Sequence, residues 1–329
     1  MARVLSGIQP TGDFHLGNYI GAVRHWVPDQ DVNDSFFMIV DLHSISVQFP
    51  EELSRRTLEL AAILLVAGID PDRSTMFVQS HVHEHAELTW VLNCVASMGE
   101  LRRMTQFKEK AKGGQEGGAS VGLFVYPVLQ AADILLYQTD RVPVGEDQRQ
   151  HVELTRDIAE RFNRRFGDTF TLPEAAIPQV GAKIMDLQNP LAKMSKSAES
   201  PQGTIAVLDP PGAIRKKVMS AVTDSGRDVV ASPDKPAISN LLTIYSVVSG
   251  KMVSELEQEY AGKGYAPLKQ DLAEAIVALF EPFQRRHREL MADPGEIERV
   301  LQVGADKARV VASKTLPQVY ERVGFLPRE

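Results

Sequence analysis

Short apolar runs alternate with longer amphipathic patterns over roughly the first half of this chain, and this alternation limits the fold more than any other feature. Runs of strand length lie at residues 3–5, 36–40, 75–78 and 142–144. Patterns with helical spacing lie at residues 18–26, 51–67, 84–97, 128–137 and 147–166. This order predicts βαβ units, and therefore an α/β fold with a Rossmann-like parallel sheet.

The pattern changes near residue 200. Beyond it, strand-like runs nearly disappear, and helical patterns are separated by breaks rich in proline and glycine at residues 209–212, 232–236 and 292–295. We therefore expect a Rossmann-like domain at residues 1–200 and a smaller all-helical domain at 201–329, whose last helix can return to the first domain. Ligands of parallel sheets bind beyond the carboxyl ends of the strands, so the loops there form the candidate site.

The composition excludes several classes of protein. The net charge of −7 argues against a generally basic surface for nucleic acid, although a local basic patch remains compatible with it. The longest apolar runs are well short of the roughly 18 to 20 residues that cross a bilayer, and no signal-peptide pattern is present. Cys94 is the single cysteine, so neither a disulfide framework nor a cysteine zinc site can form. We expect a cytoplasmic protein with no membrane contact.

The first candidate motif follows the first strand. A turn of Gln9, Pro10, Thr11 and Gly12 precedes His15-Leu16-Gly17-Asn18, which opens a helix. Unpaired N–H groups and a partial positive charge at a helix amino terminus suit a phosphate, and Gly17 lets a ligand approach the backbone. The alternative is an ordinary strand-to-helix turn that Asn18 caps.

The second candidate motif is Lys193-Met194-Ser195-Lys196-Ser197. Two lysines three residues apart, with two hydroxyls, suit the spread negative charge of a triphosphate. A solvated charged turn is the alternative. Because the chain carries two phosphate-binding patterns about 175 residues apart, we predict that both serve one nucleotide site.

Two other segments carry weaker patterns. The alternating histidines His81, His83 and His85 are similar to a metal site, but no further ligand pattern accompanies them. We expect no metal site there, but a strand-to-helix loop that can lie at a subunit contact. Residues 110–118 contain four glycines and no large apolar side chain, which predicts a mobile loop.

Taken together, the two motifs match the paired signatures of class I aminoacyl-tRNA synthetases. Along nearly its whole length the chain resembles the tryptophanyl-tRNA synthetases of bacterial type. The segments that carry this resemblance are residues 6–12 (SGIQPTG), 17–22 (GNYIGA), 104–110 (MTQFKEK), 131–137 (AADILLY), 142–148 (VPVGEDQ) and 193–197 (KMSKS).

The resemblance implies that ATP activates L-tryptophan, which is then transferred to tRNA(Trp). Catalysis would depend on Lys193, Lys196 and Lys110, with Mg²⁺ carried by the nucleotide. The implied ATP-binding residues are Gln9, Pro10, Thr11, His15, Gly17 and Asn18 in the first loop, Gly145, Glu146 and Asp147 after the fourth strand, Ile184 at adenine, and Lys193, Met194, Ser195, Lys196 and Ser197 at the phosphates. Members of the family are homodimers, and their helical domain helps to bind the anticodon end of tRNA.

Tryptophan itself requires an acceptor for its indole N–H at the end of a flat apolar slot. Asp133 lies in an otherwise apolar helical run, and by resemblance it accepts this hydrogen bond. The alternative is a solvent-facing residue of an amphipathic helix. The resemblance further assigns Tyr126 and Gln148 to the ammonium group. It places Leu5, Val40, His43 and Gln130 at the pocket wall, where some relatives carry Phe at the first position and Met at the last.

Other functions remain open from the sequence alone. A tyrosyl-tRNA synthetase also presents an aspartate to a ring donor, although residues 7–12 and 145–148 favour tryptophan. A homologue without aminoacylating activity could sense nucleotides or regulate through RNA. A related ligase could adenylate a small acid or amine, but the helical second half argues against it.

Overall fold

The computed structural model describes residues 1–46, 49–105, 120–177, 183–195 and 200–327. Within these residues five parallel strands form one sheet, in the order β3-β2-β1-β4-β5. The strands are β1 Arg3–Ile8, β2 Asp34–Ile39, β3 Thr75–Val78, β4 Arg141–Pro143 and β5 Glu174–Ala176. The expected α/β fold with a Rossmann-like sheet is confirmed.

The strand order reverses direction between β1 and β4. The chain runs outward from β1 to β3 and then crosses back to place β4 on the other side of β1. Such a switch point opens a crevice at the carboxyl ends of the two central strands. The loops after β1 and β4 border this crevice, so residues 9–18 and 145–148 form the candidate site.

The helices lie in two groups along the chain, before and after residue 200. Those of the first part are α1 Leu16–Asn18, α2 Arg24–Asp29, α3 Asp41–Ser44, α4 Leu53–Val66, α5 Glu84–Asn93, α6 Met98–Arg103, α7 Val121–Leu136 and α8 Arg149–Phe166. Those of the second part are α9 Pro211–Met219, α10 Pro236–Ser249, α11 Val253–Glu259, α12 Tyr265–Ala292 and α13 Pro294–Val323. A π-helical turn, Tyr19–Val23, joins α1 to α2, and short 3-10 turns lie at Gln79–His81, Glu146–Gln148 and Pro201–Gly203.

The helix expected at residues 128–137 begins earlier than its apolar pattern suggested. In the structure α7 starts at Val121, where the hydroxyl of Ser120 accepts a hydrogen bond of 3.0 Å from the Leu123 N–H. Pro127 lies inside this helix. A proline removes one backbone donor, but burial on both sides of the helix outweighs this cost. The predicted start at residue 128 was therefore seven residues too late.

Two apolar cores cover the two faces of the sheet. On one face, Ile39 and Leu64 share a core with Ile244 and Ile276 of α10 and α12. The helices after residue 200 thus join the first part of the chain through continuous apolar packing. On the other face, Met38 packs with Leu136 and with α13.

The last helix, α13, lies against the sheet. Lys307 and Arg309 donate hydrogen bonds of 2.7 and 2.6 Å to the carbonyl oxygens of Pro71 and His81. Gly304 lies so close to β3 that a Cβ at this position would be 2.7 Å from the carbonyl carbon of Met76. Among the described residues no helix is both long enough and apolar enough to cross a membrane.

Candidate functional site

The loop after β1 leads into a helix that His15 caps. The Nδ1 atom of His15 accepts a hydrogen bond of 3.2 Å from the Asn18 N–H, while the Asn18 side chain accepts one of 3.2 Å from the His15 N–H. The two residues form a reciprocal capping box. The alternative interpretation, in which Asn18 itself is the cap, is wrong in register by three residues. Position 17, two residues after this cap, is a glycine, and a Cβ there would lie 3.0 Å from His15 Nδ1.

The lysine-containing segment packs against this helix. The N–H of Met194 donates to the carbonyl of Ile184 at 3.0 Å, and Met185 pairs with Lys193 in the same antiparallel turn. The Met194 side chain is buried, and its Cβ would be 3.5 Å from a Cβ on Gly17. The structure therefore brings together two motifs that are about 175 residues apart in the sequence.

Backbone hydrogen bonds also hold the opening helix against the segment after residue 200. Leu16 donates a hydrogen bond of 2.8 Å from its N–H to the carbonyl of Ile205, and Val207 donates one of 2.9 Å to Phe14. The hydroxyl of Thr204 donates to the carbonyl of Ser195 at 3.2 Å. The segment after residue 200 thus holds both the opening helix and the end of the described lysine segment.

The predicted cations of the site are only partly described. Lys193 is exposed next to the buried Met194. Lys110, Lys196 and Ser197 lie outside the described residues. In the first loop, Gln9 is exposed and Pro10 is buried beneath it, and the Thr11 hydroxyl lies 3.5 Å from Gln9 Oε1.

The loop after β4 stands at the other border of the crevice. Gly145, Glu146 and Asp147 are exposed, and Glu146 accepts a hydrogen bond of 2.6 Å from the Arg149 guanidinium. A Cβ on Gly145 would lie 2.6 Å from Oδ1 of the exposed Asp147 side chain, which a larger residue would displace. Gln148 is half-buried and donates to Asp147 Oδ2 at 3.0 Å.

Asp133 is a buried carboxylate, and the solvent-facing alternative is wrong. It is 2% exposed. His43 Nε2 lies 2.8 Å from its Oδ2, while His85 Nδ1 and Gln79 Nε2 each lie 2.7 Å from its Oδ1. Burial alone would raise the pKa of Asp133, but hydrogen bonds from His43 and His85 outweigh it and lower the pKa to about 2. The side chain is therefore an ionised acceptor at neutral pH.

The network extends beyond the first partners of Asp133. The second ring nitrogen of His85, Nε2, lies 2.8 Å from the Tyr137 hydroxyl. Burial is the largest of the effects that raise the pKa of Tyr137 well above its usual value, and the charges of Asp133 and Glu84 add to it. The hydroxyl therefore stays protonated and donates a hydrogen bond to His85.

Gln79, His85 and Tyr137 were not predicted as site residues. One sequence signal could have indicated them. Asp133 is a single charge in an apolar run, and such a charge requires buried donors from elsewhere in the chain.

Of the predicted pocket wall, His43 contacts this carboxylate directly. Leu5 and Val40 are buried in the same apolar core as Ala131 and Ala132. The ring of Tyr126 makes an edge contact with His43, with ring centroids 6.3 Å apart. Burial raises the pKa of Tyr126 to about 12, and its hydroxyl lies 3.0 Å from His151 Nε2. Gln130 is half-buried on the same helix.

A cavity of about 180 Å³ opens beside the first loop. Its walls come from the first loop, from α4 and from the segment after residue 205. They include Pro10, Phe14, Arg56, Leu60 and Leu208. Gln9 of the predicted nucleotide site also contributes to this lining, whereas Asp133 and Lys193 do not.

The histidines at residues 81–85 have separate environments. His83 is exposed and pairs with Glu84, whereas His85 points inward to Asp133. Within the described ranges, no group of three or more His, Cys, Asp or Glu side chains is arranged to hold a metal ion.

Comparison with known proteins agrees with this geometry. The family described as tRNA synthetases class I (W and Y) matches residues 1–281. The chain is 59% identical to tryptophan–tRNA ligase 2 of Streptomyces avermitilis, with 99% of this chain and 97% of that protein covered.

Solved structures extend the likeness to three dimensions. Tryptophanyl-tRNA synthetase of Mycoplasma pneumoniae superposes with a TM-score of 0.90 at 36% identity, covering 99% of this chain and 98% of that one. The Campylobacter jejuni enzyme, complexed with ADP and tryptophan, gives 0.86 at 38% identity, covering 98% and 100%. The chain therefore belongs to the class I tRNA synthetases for tryptophan and tyrosine, among the bacterial tryptophan–tRNA ligases.

Proposed function

We propose that this chain, as a tryptophan–tRNA ligase, joins L-tryptophan to tRNA(Trp) in two steps at the site described above. In the first step the tryptophan carboxylate attacks the α-phosphorus of ATP, forms the mixed anhydride tryptophanyl-adenylate and expels pyrophosphate. In the second, a hydroxyl of the terminal ribose of tRNA attacks the acyl carbon and releases AMP. The attacking carboxylate is already ionised, so the first step requires no enzyme nucleophile and no dedicated base.

The contact of Gly17 with Met194 is the single observation that carries this proposal. It places the amino terminus of α1 beside the segment that contains Lys193. A helix amino terminus attracts a phosphate from one side, and lysine ammonium groups can neutralise its charge from the other. A structural relative was solved with ADP and tryptophan, which is consistent with a nucleotide in this crevice.

Each ATP-binding residue then receives a role. We assign Gln9, Pro10, Thr11, His15, Gly17 and Asn18 to one side of the nucleotide, Gly145, Glu146 and Asp147 to the other, and Ile184 to adenine. Lys193 and Lys196, with Met194, Ser195 and Ser197 beside them, contact the triphosphate, and Lys110 joins them from the preceding segment. Mg²⁺ arrives with the nucleotide and neutralises phosphate charge.

The amino-acid side of the site depends on Asp133. Its buried carboxylate accepts the indole N–H, while Leu5, Val40, His43 and Gln130 line the ring. Tyr126 and Gln148 hold the ammonium group. A substrate without the N–H leaves an ionised acceptor unpaired, which is how such a site rejects phenylalanine by roughly 10⁴-fold or more.

The helical second half serves the other substrate. We propose that residues 201–329 form a unit that helps to bind the anticodon end of tRNA, and that the enzyme acts in the cytoplasm, where charged tRNA is used.

The enzyme is also proposed to be a homodimer. Trp90 and Val121 of the adjoining helices α5 and α7 are 69% and 76% exposed. Exposed large apolar side chains suit a contact between two copies of the chain. Light scattering of the Trp90→Glu variant should then report monomers.

Pyrophosphate exchange tests the proposed reaction directly. Wild-type protein should incorporate labelled pyrophosphate into ATP with L-tryptophan and not with L-tyrosine. The Lys196→Ala variant should lose the rate by orders of magnitude with its thermal unfolding unchanged, and Lys216→Ala, an exposed lysine on α9, is the matched control.

Four outcomes would contradict the proposal in different ways. Exchange with tyrosine alone indicates the tyrosyl alternative. Exchange without charging of tRNA indicates an adenylating ligase of another kind, and neither activity indicates a regulatory homologue. An unchanged rate in Lys196→Ala removes the role of the lysine segment.

A further inference from the structure

In the part of the chain that the structure describes, the hydrogen bonds of Asp133 occupy three of its acceptor positions. A carboxylate offers about four acceptor positions, two on each oxygen. Gln79 and His85 both donate to Oδ1, at 2.7 Å each. Among the described residues Oδ2 receives one donor, His43 Nε2 at 2.8 Å. The open position among these contacts is therefore on Oδ2.

His85 is fixed in one tautomer by its two partners. Its Nδ1 faces the ionised Asp133, so this nitrogen carries the ring proton and donates a hydrogen bond. Its Nε2 faces the Tyr137 hydroxyl at 2.8 Å and accepts from it. The ring is fully buried and stacks on Phe77, with centroids 6.1 Å apart and an angle of 25° between the planes. The imidazole cannot turn without breaking both hydrogen bonds.

We infer that His85 is a positioning residue for tryptophan recognition: with Tyr137 behind it and Gln79 beside it, it saturates Oδ1 of Asp133, so that the indole N–H is accepted by Oδ2. His85 does not touch the substrate. It fixes the rotation of the Asp133 carboxylate about the Cβ–Cγ bond. Without the His85 donor on Oδ1 the carboxylate can rotate, and the donors around it can then bind to different oxygens. The inference rests on the proposed function, in which Asp133 reads the indole ring.

A substrate without the N–H separates positioning from general damage. In 3-(benzothiophen-3-yl)-L-alanine a sulfur replaces the indole N–H on a ring of similar shape. The measured quantity is the ratio of kcat/KM for tryptophan to that for the analogue in pyrophosphate exchange. In His85→Leu this ratio should fall about tenfold or more, through a raised KM for tryptophan, which is the size expected when a hydrogen bond to a charged acceptor is misaligned.

Conservative variants make the test specific. In His85→Asn an amide nitrogen can occupy the position of Nδ1, although the hydrogen bond to Tyr137 is lost, so the ratio should stay within about fivefold of wild type and above that of His85→Leu. Tyr137→Phe removes only the hydroxyl and should lower the ratio by about fivefold, as for one neutral hydrogen bond. His287→Leu, at a buried histidine of α12, is the matched control and should lower stability with no change in the ratio.

The outcomes are separable. If His85→Leu reduces kcat/KM equally for both substrates, His85 has only a structural role and the inference is overturned. If that variant does not fold, Tyr137→Phe decides in the same way, since an unchanged ratio overturns the inference. If wild-type protein shows no exchange with tryptophan at all, the proposed function fails before the role of His85 is addressed.

Discussion

Gly304 provides the most exacting test of how the last helix packs. Replacement of a helical glycine by alanine usually stabilises a helix by about 1 kcal/mol. Here the new Cβ would lie 2.7 Å from the carbonyl carbon of Met76 and closer still to its oxygen. Carbon atoms in good contact are about 3.5 to 4.0 Å apart, so α13 would have to move away from β3 by about 1 Å.

Overpacking of this kind costs about 3 kcal/mol, because the obstacle is the backbone of a central layer and not a flexible side chain. After the gain in helix propensity, Gly304→Ala should be destabilised by a net of about 2 kcal/mol. Urea unfolding followed by circular dichroism measures this difference. Gly212→Ala is the control, since a Cβ there meets nothing within 4 Å and the variant should be neutral or slightly stabilised. A Gly304→Ala protein as stable as wild type would refute the close approach of α13 to the sheet.

Other substitutions test the site and its supports. Asp133→Asn should lower kcat/KM for tryptophan in pyrophosphate exchange by about 10²-fold or more, because the buried donors lose an ionised partner; activity within a factor of three of wild type would contradict the assigned role. The pKa of Asp133 is lowered from 3.8 to about 2 on folding, so this group adds about 2 kcal/mol of stability above pH 4 that is lost as the pH falls through 2. In urea titrations the stability gap between wild type and Asp133→Asn should accordingly narrow below pH 4, and a constant gap would show that the carboxylate is not held ionised. Gly203→Ala would press a Cβ into the carboxylate of the buried Asp186, which accepts hydrogen bonds from two backbone N–H groups of the turn before Lys193; we expect a loss of about 1 to 3 kcal/mol in thermal unfolding and weaker exchange, and an unaffected protein would contradict that packing.

The strands and the fold class could be predicted because apolar runs of strand length recur at the right spacing. Strand β5 was missed for a physical reason. Glu174, Ala175 and Ala176 carry no β-branched or aromatic side chain, and their pairing with β4 is fixed by backbone hydrogen bonds. Local sequence holds no signal for such a short edge strand.

The two candidate nucleotide motifs could be predicted from the sequence because the side chains and backbone groups suited to phosphate are close together within each motif. Their contact could not be derived from spacing, since it depends on the turn that pairs Met185 with Lys193 and buries Met194. Likewise, the alternative interpretation placed the cap of the first helix at Asn18, whereas the structure places it at His15. Histidine is an uncommon cap, and its Nδ1 is used here in place of a hydroxyl or carboxylate.

The donors around Asp133 were the least predictable part. They come from the end of β3, from the start of α5 and from α3, between 48 and 90 residues away in the chain. Alternating histidines at 81–85 suggested at most a weak metal pattern. The fold instead separates them, and only His85 is directed into the core.

A crystal structure with tryptophan and a non-hydrolysable ATP analogue tests the central claim most directly. We predict that the triphosphate lies between the amino terminus of α1 and the ammonium groups of Lys193 and Lys196. We also predict the indole nitrogen at about 3 Å from Asp133 Oδ2. A triphosphate bound elsewhere, with both lysines directed into solvent, would contradict it.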